Sequence, residues 1–164
     1  MIILYPFQNA VYTVLTLRPS EFGIHSDQVS FPGGRFEEED NDLQTTALRE
    51  TREELGIDPS QLSVAGKLTT VYIPVSNFLV HPFVAVSPKR PQFFLNPYEV
   101  REIIETDIRI FSDDKIRGES MFGSGDKKNI EAPFYEVNKH KIWGATAMIL
   151  SELENILQPL FGNG

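Results

Sequence analysis

The 164-residue sequence has no cysteine, one tryptophan, three histidines and three methionines, and its 15 lysines and arginines are outnumbered by 23 aspartates and glutamates. Without cysteine there is no disulfide framework, no thiolate zinc centre and no cysteine nucleophile; the absence also suits a cytoplasmic setting, which is the expectation here. No apolar run approaches the ~20 residues of a membrane-spanning helix, so no membrane partner is expected. A net charge of −8 argues against a nucleic-acid backbone as partner. Neither GxxxxGKS/T nor GxGxxG occurs, which removes the P-loop and Rossmann phosphate sites. With 41% hydrophobic and 11% aromatic residues the chain can bury a core. No repeat or linker divides it, and a single domain over residues 1–164 is expected. The apolar start reads as a strand beginning at residue one, which suggests that an upstream segment is missing.

The negative charge is concentrated. Glu37 to Glu54 carries eight acids (Glu37, Glu38, Glu39, Asp40, Asp42, Glu50, Glu53, Glu54) against two bases, Arg49 and Arg52, a balance of −6 within eighteen residues. A solvated helix face is the ordinary meaning of such a run, and it is the meaning given to Glu37, Glu38 and Glu39.

Patterning predicts strands over Met1–Phe7 and Ala10–Leu17, joined by a turn at Gln8-Asn9. Further strands are expected at Val29–Phe31, Leu62–Leu68, Thr69–Ile73, Phe78–Val86 and Phe134–Val137, and strand followed by a turn or short helix over Val100–Phe111. Gly118–Lys128 reads as a polar, mobile loop. Leu43–Leu55 reads as a helix, with Asn41 and Gln44 as a capping box and Gly56 as the C-terminal cap. Leu43, Ala47, Leu48, Thr51 and Leu55 form its inward arc. A second amphipathic helix is expected over Ala145–Leu160, with Ala145, Met148, Ile149, Leu153, Ile156, Leu157 and Leu160 inward. Trp143 is assigned to the core, and His81 and His140 to structural roles.

On the first helix Glu50, Glu53 and Glu54 stand at i, i+3 and i+4, so three carboxylates share one patch. Like charges at that spacing cost roughly 0.2–0.5 kcal/mol per pair, and a purely structural helix gains nothing from them. A hard divalent cation, Mg²⁺ or Mn²⁺, accounts for the arrangement. Arg49, one turn before Glu53, is placed to orient its carboxylate. Pro32-Gly33-Gly34 lets backbone approach a ligand closely, and a Gly33 carbonyl is a candidate further oxygen for the metal.

Gly34, Arg49, Glu50, Glu53, Glu54, Gly56 and Ile57 resemble the Nudix box, G-x5-E-x7-R-E-U-x-E-E-x-G-U with U aliphatic. The sequence departs from it in having Asp40 at the first acid, eight residues instead of seven before Arg49, and Thr51 at an aliphatic position. The expanded box resembles the coenzyme A pyrophosphatase branch of that family, as do Leu15-Thr16-Leu17-Arg18, His25, Gln28-Val29 and Phe31-Pro32-Gly33-Gly34 upstream. Gly23 and Asp27 depart from that upstream pattern, the first where an arginine is common. Segments around Tyr72-Ile73-Pro74, Asn96-Pro97 with Glu99-Val100, and Ile142–Ala147 extend the resemblance from about Val14 to Leu150.

The resemblance implies an α/β/α sandwich with a central mixed sheet, the box helix on one side and the C-terminal helix on the other. It implies metal-dependent hydrolysis of a nucleoside diphosphate linked to another group. Glu50, Glu53, Glu54 and Gly33 would hold the metal, Glu53 or Glu54 with Arg49 would serve catalysis, and Arg18, His25 and Gly34 would contact substrate. For coenzyme A or an acyl-CoA the products would be adenosine 3′,5′-bisphosphate and 4′-phosphopantetheine. ADP-ribose, NADH or a nucleotide sugar is the alternative substrate. A non-catalytic nucleotide-sensing module is the alternative of another class, although such modules often lose the box acids that are kept here. Glu99 is left open between a further acid at the metal and a structural role. A homodimer is allowed for.

Overall fold

The computed structural model describes residues 1–19, 28–74, 76–123 and 130–160. Ile2–Phe7 forms β1 and Ala10–Leu17 forms β2. Gln8 and Asn9 both take positive φ, 48° and 60°, the turn geometry whose twist matches a two-residue hairpin. β2 is the centre of a mixed sheet. Along one edge it pairs antiparallel with β8 (Glu102–Asp107); along the other it pairs first with β1 and then, past the end of β1, with β3 (Val29–Ser30). β1 runs parallel to β7 (Phe83–Val86), which pairs antiparallel with β4 (Ser63–Lys67) across a register shift between Val64 and Gly66.

β1 shows why the sheet is a middle layer. Its first residues are apolar without alternation, the mark of a strand covered on both faces. Ile3 and Tyr5 pack with Val14, Ala47, Leu55 and Ile57 beneath α1 (Leu43–Leu55); Ile2 and Leu4 pack with Val71, Ile108, Ile149 and Leu153 beneath α2 (Gly144–Leu157). The expected α/β/α layering with a mixed sheet is what the chain forms. A smaller antiparallel sheet, β9 (Arg117–Phe122), β10 (Ile130–Val137) and β11 (His140–Trp143), joins α2 around Leu15, Leu17, Phe111, Tyr135, Ile142 and Leu150. β5 (Val71–Ile73) and β6 (Phe78–Val80) form a separate hairpin.

Several expectations change. The single strand expected over Phe78–Val86 is interrupted at His81-Pro82 and divides into β6 and β7, because proline has no N–H to give to a ladder. The first five residues of the loop expected at Gly118–Lys128 belong to β9, whose alternate residues are exposed; residues 124–129 lie outside the described structure. α1 is capped by Asp42, not Asn41: its carboxylate accepts from the Thr45 amide at 2.7 Å. Leu43, placed inward, is 40% exposed. α2 is rotated from its expected face. Ala147, Ile149, Leu150 and Leu153 are buried, whereas Met148, Ile156 and Leu160 are exposed, and Leu160 lies in a terminal 3-10 turn. Trp143 is half-buried, its ring stacked on Phe122 at 4.4 Å.

Candidate active site

α1 begins where Asp42 caps it and ends where Gly56 takes φ 70° and returns its N–H to the Arg52 carbonyl. Between those caps, burial of Ala47, Thr51 and Leu55 against the sheet fixes the helix rotation. Thr51, at the box's aliphatic position, is fully buried; its hydroxyl donates to the Ala47 carbonyl at 2.7 Å, so it packs with no unpaired polar atom. That rotation leaves Glu53 half-exposed, Glu50 mostly covered and Glu54 buried.

Asp40 organises the patch. It is buried, accepts from the Glu37 amide at 3.0 Å and the Thr46 hydroxyl at 2.8 Å, and receives Arg49 through both Nε and Nη2 at 3.0 Å. These donors hold its carboxyl below the usual carboxylate range, the Arg49 bonds most of all. Arg49, fixed at that end, donates through Nη1 to Glu50 at 3.1 Å and Glu53 at 2.9 Å and through Nη2 to the Arg35 carbonyl at 2.9 Å. One guanidinium thus binds three acids and the glycine loop. The box departure at Asp40, whose consequence the sequence leaves open, gives a buried carboxylate that anchors Arg49.

The glycine loop lies over the other acids. Gly33, at φ 154°, donates its N–H to Glu54 Oε2 at 3.3 Å. The Met1 nitrogen donates to the Pro32 carbonyl at 2.6 Å, which fastens the loop to β1. A Cβ on Gly34 would overlap the Glu50 carboxylate, so a side chain there would displace Glu50 from its present position. Arg18, at the end of β2, brings Nη2 to 3.9 Å from Glu54 Oε1. Opposite, Phe94 and Asn96 donate to the Leu55 and Glu54 carbonyls at 2.8 and 3.0 Å, and Arg101 to the Leu17 carbonyl at 2.9 Å. This carries Glu99 close enough for its charge to oppose ionisation of Glu50 and Glu54.

Burial pushes the Glu54 carboxyl up to about 7; Arg18 and the Gly33 amide oppose the shift, and Glu50 and Glu99 add to it. Glu50 is also raised, again by burial first. The structure therefore brings together Arg18, Gly33, Gly34, Arg49, Glu50, Glu53 and Glu54. Among the described residues, however, no three acidic or histidine side chains converge as a metal cage. Arg49 bridges Glu50 and Glu53, while Glu54 turns to Gly33, whose N–H and not its carbonyl meets an acid. His25 lies outside the described residues. Asp40 and Thr46 are the site residues that sequence reasoning did not assign. The signal for Asp40 was its acid at the position where the box expects glutamate.

A family model described as the NUDIX domain matches residues 1–116. The chain belongs to the Nudix family. It is 36% identical over 146 residues to a Homo sapiens protein named mitochondrial coenzyme A diphosphatase NUDT8, covering 88% of this chain and 62% of that one. It is 34% identical over 142 residues to Nudix hydrolase 15, mitochondrial, of Arabidopsis thaliana, covering 84% of this chain and 50% of that one. This Nudix chain thus spans one half to two thirds of the length of these relatives. Both relatives are named mitochondrial, which does not support the cytoplasmic setting expected from composition; among the described residues no helix is long and apolar enough to cross a membrane. Solved structures share the Nudix fold. RenU from M. Smegmatis aligns with a TM-score of 0.67 at 13% identity, over 97% of this chain and 83% of its own. A C. elegans Ap4A hydrolase aligns at 0.56 and 17% identity, over 66% and 77%.

Proposed function

We propose that this Nudix domain hydrolyses the diphosphate bond of coenzyme A or an acyl-CoA, giving adenosine 3′,5′-bisphosphate and 4′-phosphopantetheine. The observation that carries the reading is the joint placement of the upstream signature and the expanded box at one site. Arg18 and the Pro32–Gly34 loop belong to the first and Asp40, Arg49 and the glutamates to the second, and they meet around Glu50 and Glu54. Likeness to proteins named coenzyme A diphosphatase supports the substrate class.

The oxygens offered by Glu50, Glu53, Glu54 and the Gly33 carbonyl suit a hard divalent cation, Mg²⁺ or Mn²⁺, and carry no soft ligand. When bound, such a cation supplies neutralisation of the diphosphate charge and acidification of a water. The chain's own residues do the rest. Asp40 holds Arg49, and Arg49 holds Glu50 and Glu53 in fixed directions. The glycine loop lets the diphosphate approach without a side chain in the way. Arg18 attracts its oxygens from the Glu54 side. Glu53 or Glu54 accepts the proton of the attacking water. Arg49 leaves one oxygen each of Glu50 and Glu53 unbonded to it, and these would be the oxygens offered to such a cation.

Kinetics on coenzyme A, ADP-ribose and NADH with Mg²⁺ or Mn²⁺ tests the substrate. The expected result is the highest kcat/KM for coenzyme A, and preferred cleavage of ADP-ribose or NADH would reject that substrate.

A further inference from the structure

Arg35 follows Gly34 directly and is followed in sequence by the acids Glu37, Glu38, Glu39 and Asp40, yet among the described residues its guanidinium bonds to none of them. It lies over the ring of Phe78, 4.7 Å from the centroid. A guanidinium seated on an aromatic face keeps its in-plane N–H donors free, and those donors match a phosphate. Both ends of this contact are fixed. The Arg35 carbonyl accepts from Arg49. Phe78 sits on the β5–β6 hairpin, which is tied by Tyr72 to Asn77 at 3.0 Å, Thr70 to His81 at 3.2 Å and Leu68 to Pro82 at 2.8 Å. The exposed arginine is therefore presented and not merely solvated.

Its position relative to the acids is also informative. Arg18 stands on the Glu54 side of the site, within ion-pair range of that carboxylate. Arg35 meets the site through its backbone carbonyl, which accepts from Arg49, while its guanidinium lies over Phe78 and among the described residues is bonded to no acid, so it does not pair with the candidate cation ligands. We infer that Arg35, held on Phe78, binds a phosphate monoester of the substrate away from the diphosphate, the 3′-phosphate in the case of coenzyme A, and so sets specificity. This rests on the hydrolase reading above and adds to it a residue at a position the box leaves unspecified.

The experiment compares coenzyme A with 3′-dephospho-coenzyme A in the wild-type protein, Arg35→Gln, Arg35→Lys and Phe78→Leu. A charge-assisted contact of this kind is expected to give the wild type roughly a tenfold to hundredfold preference in kcat/KM for coenzyme A. Arg35→Gln should bring the ratio close to one. Arg35→Lys and Phe78→Leu should lower it in part, mainly through KM. A second measurement uses no cation: titration calorimetry with adenosine 3′,5′-bisphosphate and with AMP, where the wild type should prefer the bisphosphate and Arg35→Gln should not. A wild-type ratio of one, or a ratio unchanged in Arg35→Gln, overturns the assignment. Failure of the wild type to cleave either compound overturns the hydrolase reading instead, and the calorimetric preference then decides the role of Arg35 alone.

Discussion

Asp40 and Arg49 carry more of the site than their exposure suggests, since one buried carboxylate directs a guanidinium that directs two others. Asp40→Asn keeps the shape and removes half of the paired hydrogen bonding, so activity should fall roughly 10–100-fold, the range for groups that orient ligands. Steady-state kinetics checks this. The same variant has a pH signature. Asp40 has a folded proton affinity below its ordinary value of 3.8, so its contribution to stability is present above that value and is lost as pH falls. Melting curves of Asp40→Asn should accordingly lose less stability on acidification than the wild type. Glu54 has the opposite sign. Folding raises it from 4.5 to about 7, so between those values the unfolded chain ionises first and stability falls as pH rises. Glu54→Gln should then raise the melting temperature by roughly 2 °C or more at pH 8 in EDTA while hydrolysis is lost. An unchanged or lower melting temperature would show that burial of this carboxyl is not the strain inferred. Three carboxylates at helical spacing were legible in the sequence, and so was the pairing of Arg49 with Glu53 one turn on. The further bonds of Arg49 to Asp40 and the Arg35 carbonyl were not, because those partners come from the loop before the helix.

Element by element, the ends of α1 show what local signals convey. Gly56 was readable as a cap, and its φ of 70° and tight packing explain why. A Cβ there would lie 2.6 Å from Phe94 Cβ, so Gly56→Ala should cost more than the ~1 kcal/mol of an ordinary left-handed position. Urea denaturation measures it. The N-cap was misplaced by one residue, since Asp40 is drawn inward to Arg49 and leaves Asp42 to cap. β9 looked like a loop because its sequence, RGESMF, is polar on one side; Gly118 is there to make room for the Phe134 ring, which a Cβ would approach to 2.7 Å. The β10–β11 turn was hidden for a different reason. Asn138 and Lys139 both take positive φ, and lysine is no turn marker. In α2 the apolar residues extend around too much of the wheel to define one face. Ile149→Ala should cost about 2–5 kcal/mol as a buried truncation, whereas Met148→Gln should stay within about 0.5 kcal/mol; equal costs would contradict the observed rotation.

At the scale of the molecule, the two-sided burial of β1 creates the three layers, and the layers bring a strand end, a glycine loop, a helix and a turn to one patch. Arg18, Gly33, Gly34, Glu50, Glu54 and Glu99 come from four separate segments. Sequence spacing places those on α1 relative to one another, but only the sheet register places the others. The acidic balance of the chain takes on a different meaning at this scale. The densest charge is partly internal, held by Arg49 and by burial, and an anionic substrate is compatible with it once a divalent cation is present. The most direct test is product identification, by mass spectrometry and phosphorus NMR, after incubation of coenzyme A with the protein. With Mg²⁺ or Mn²⁺ the account predicts adenosine 3′,5′-bisphosphate and 4′-phosphopantetheine in equal amounts, and neither in EDTA or with Glu53→Gln. Intact coenzyme A in the presence of either cation, or release of inorganic phosphate in place of these two products, would contradict it.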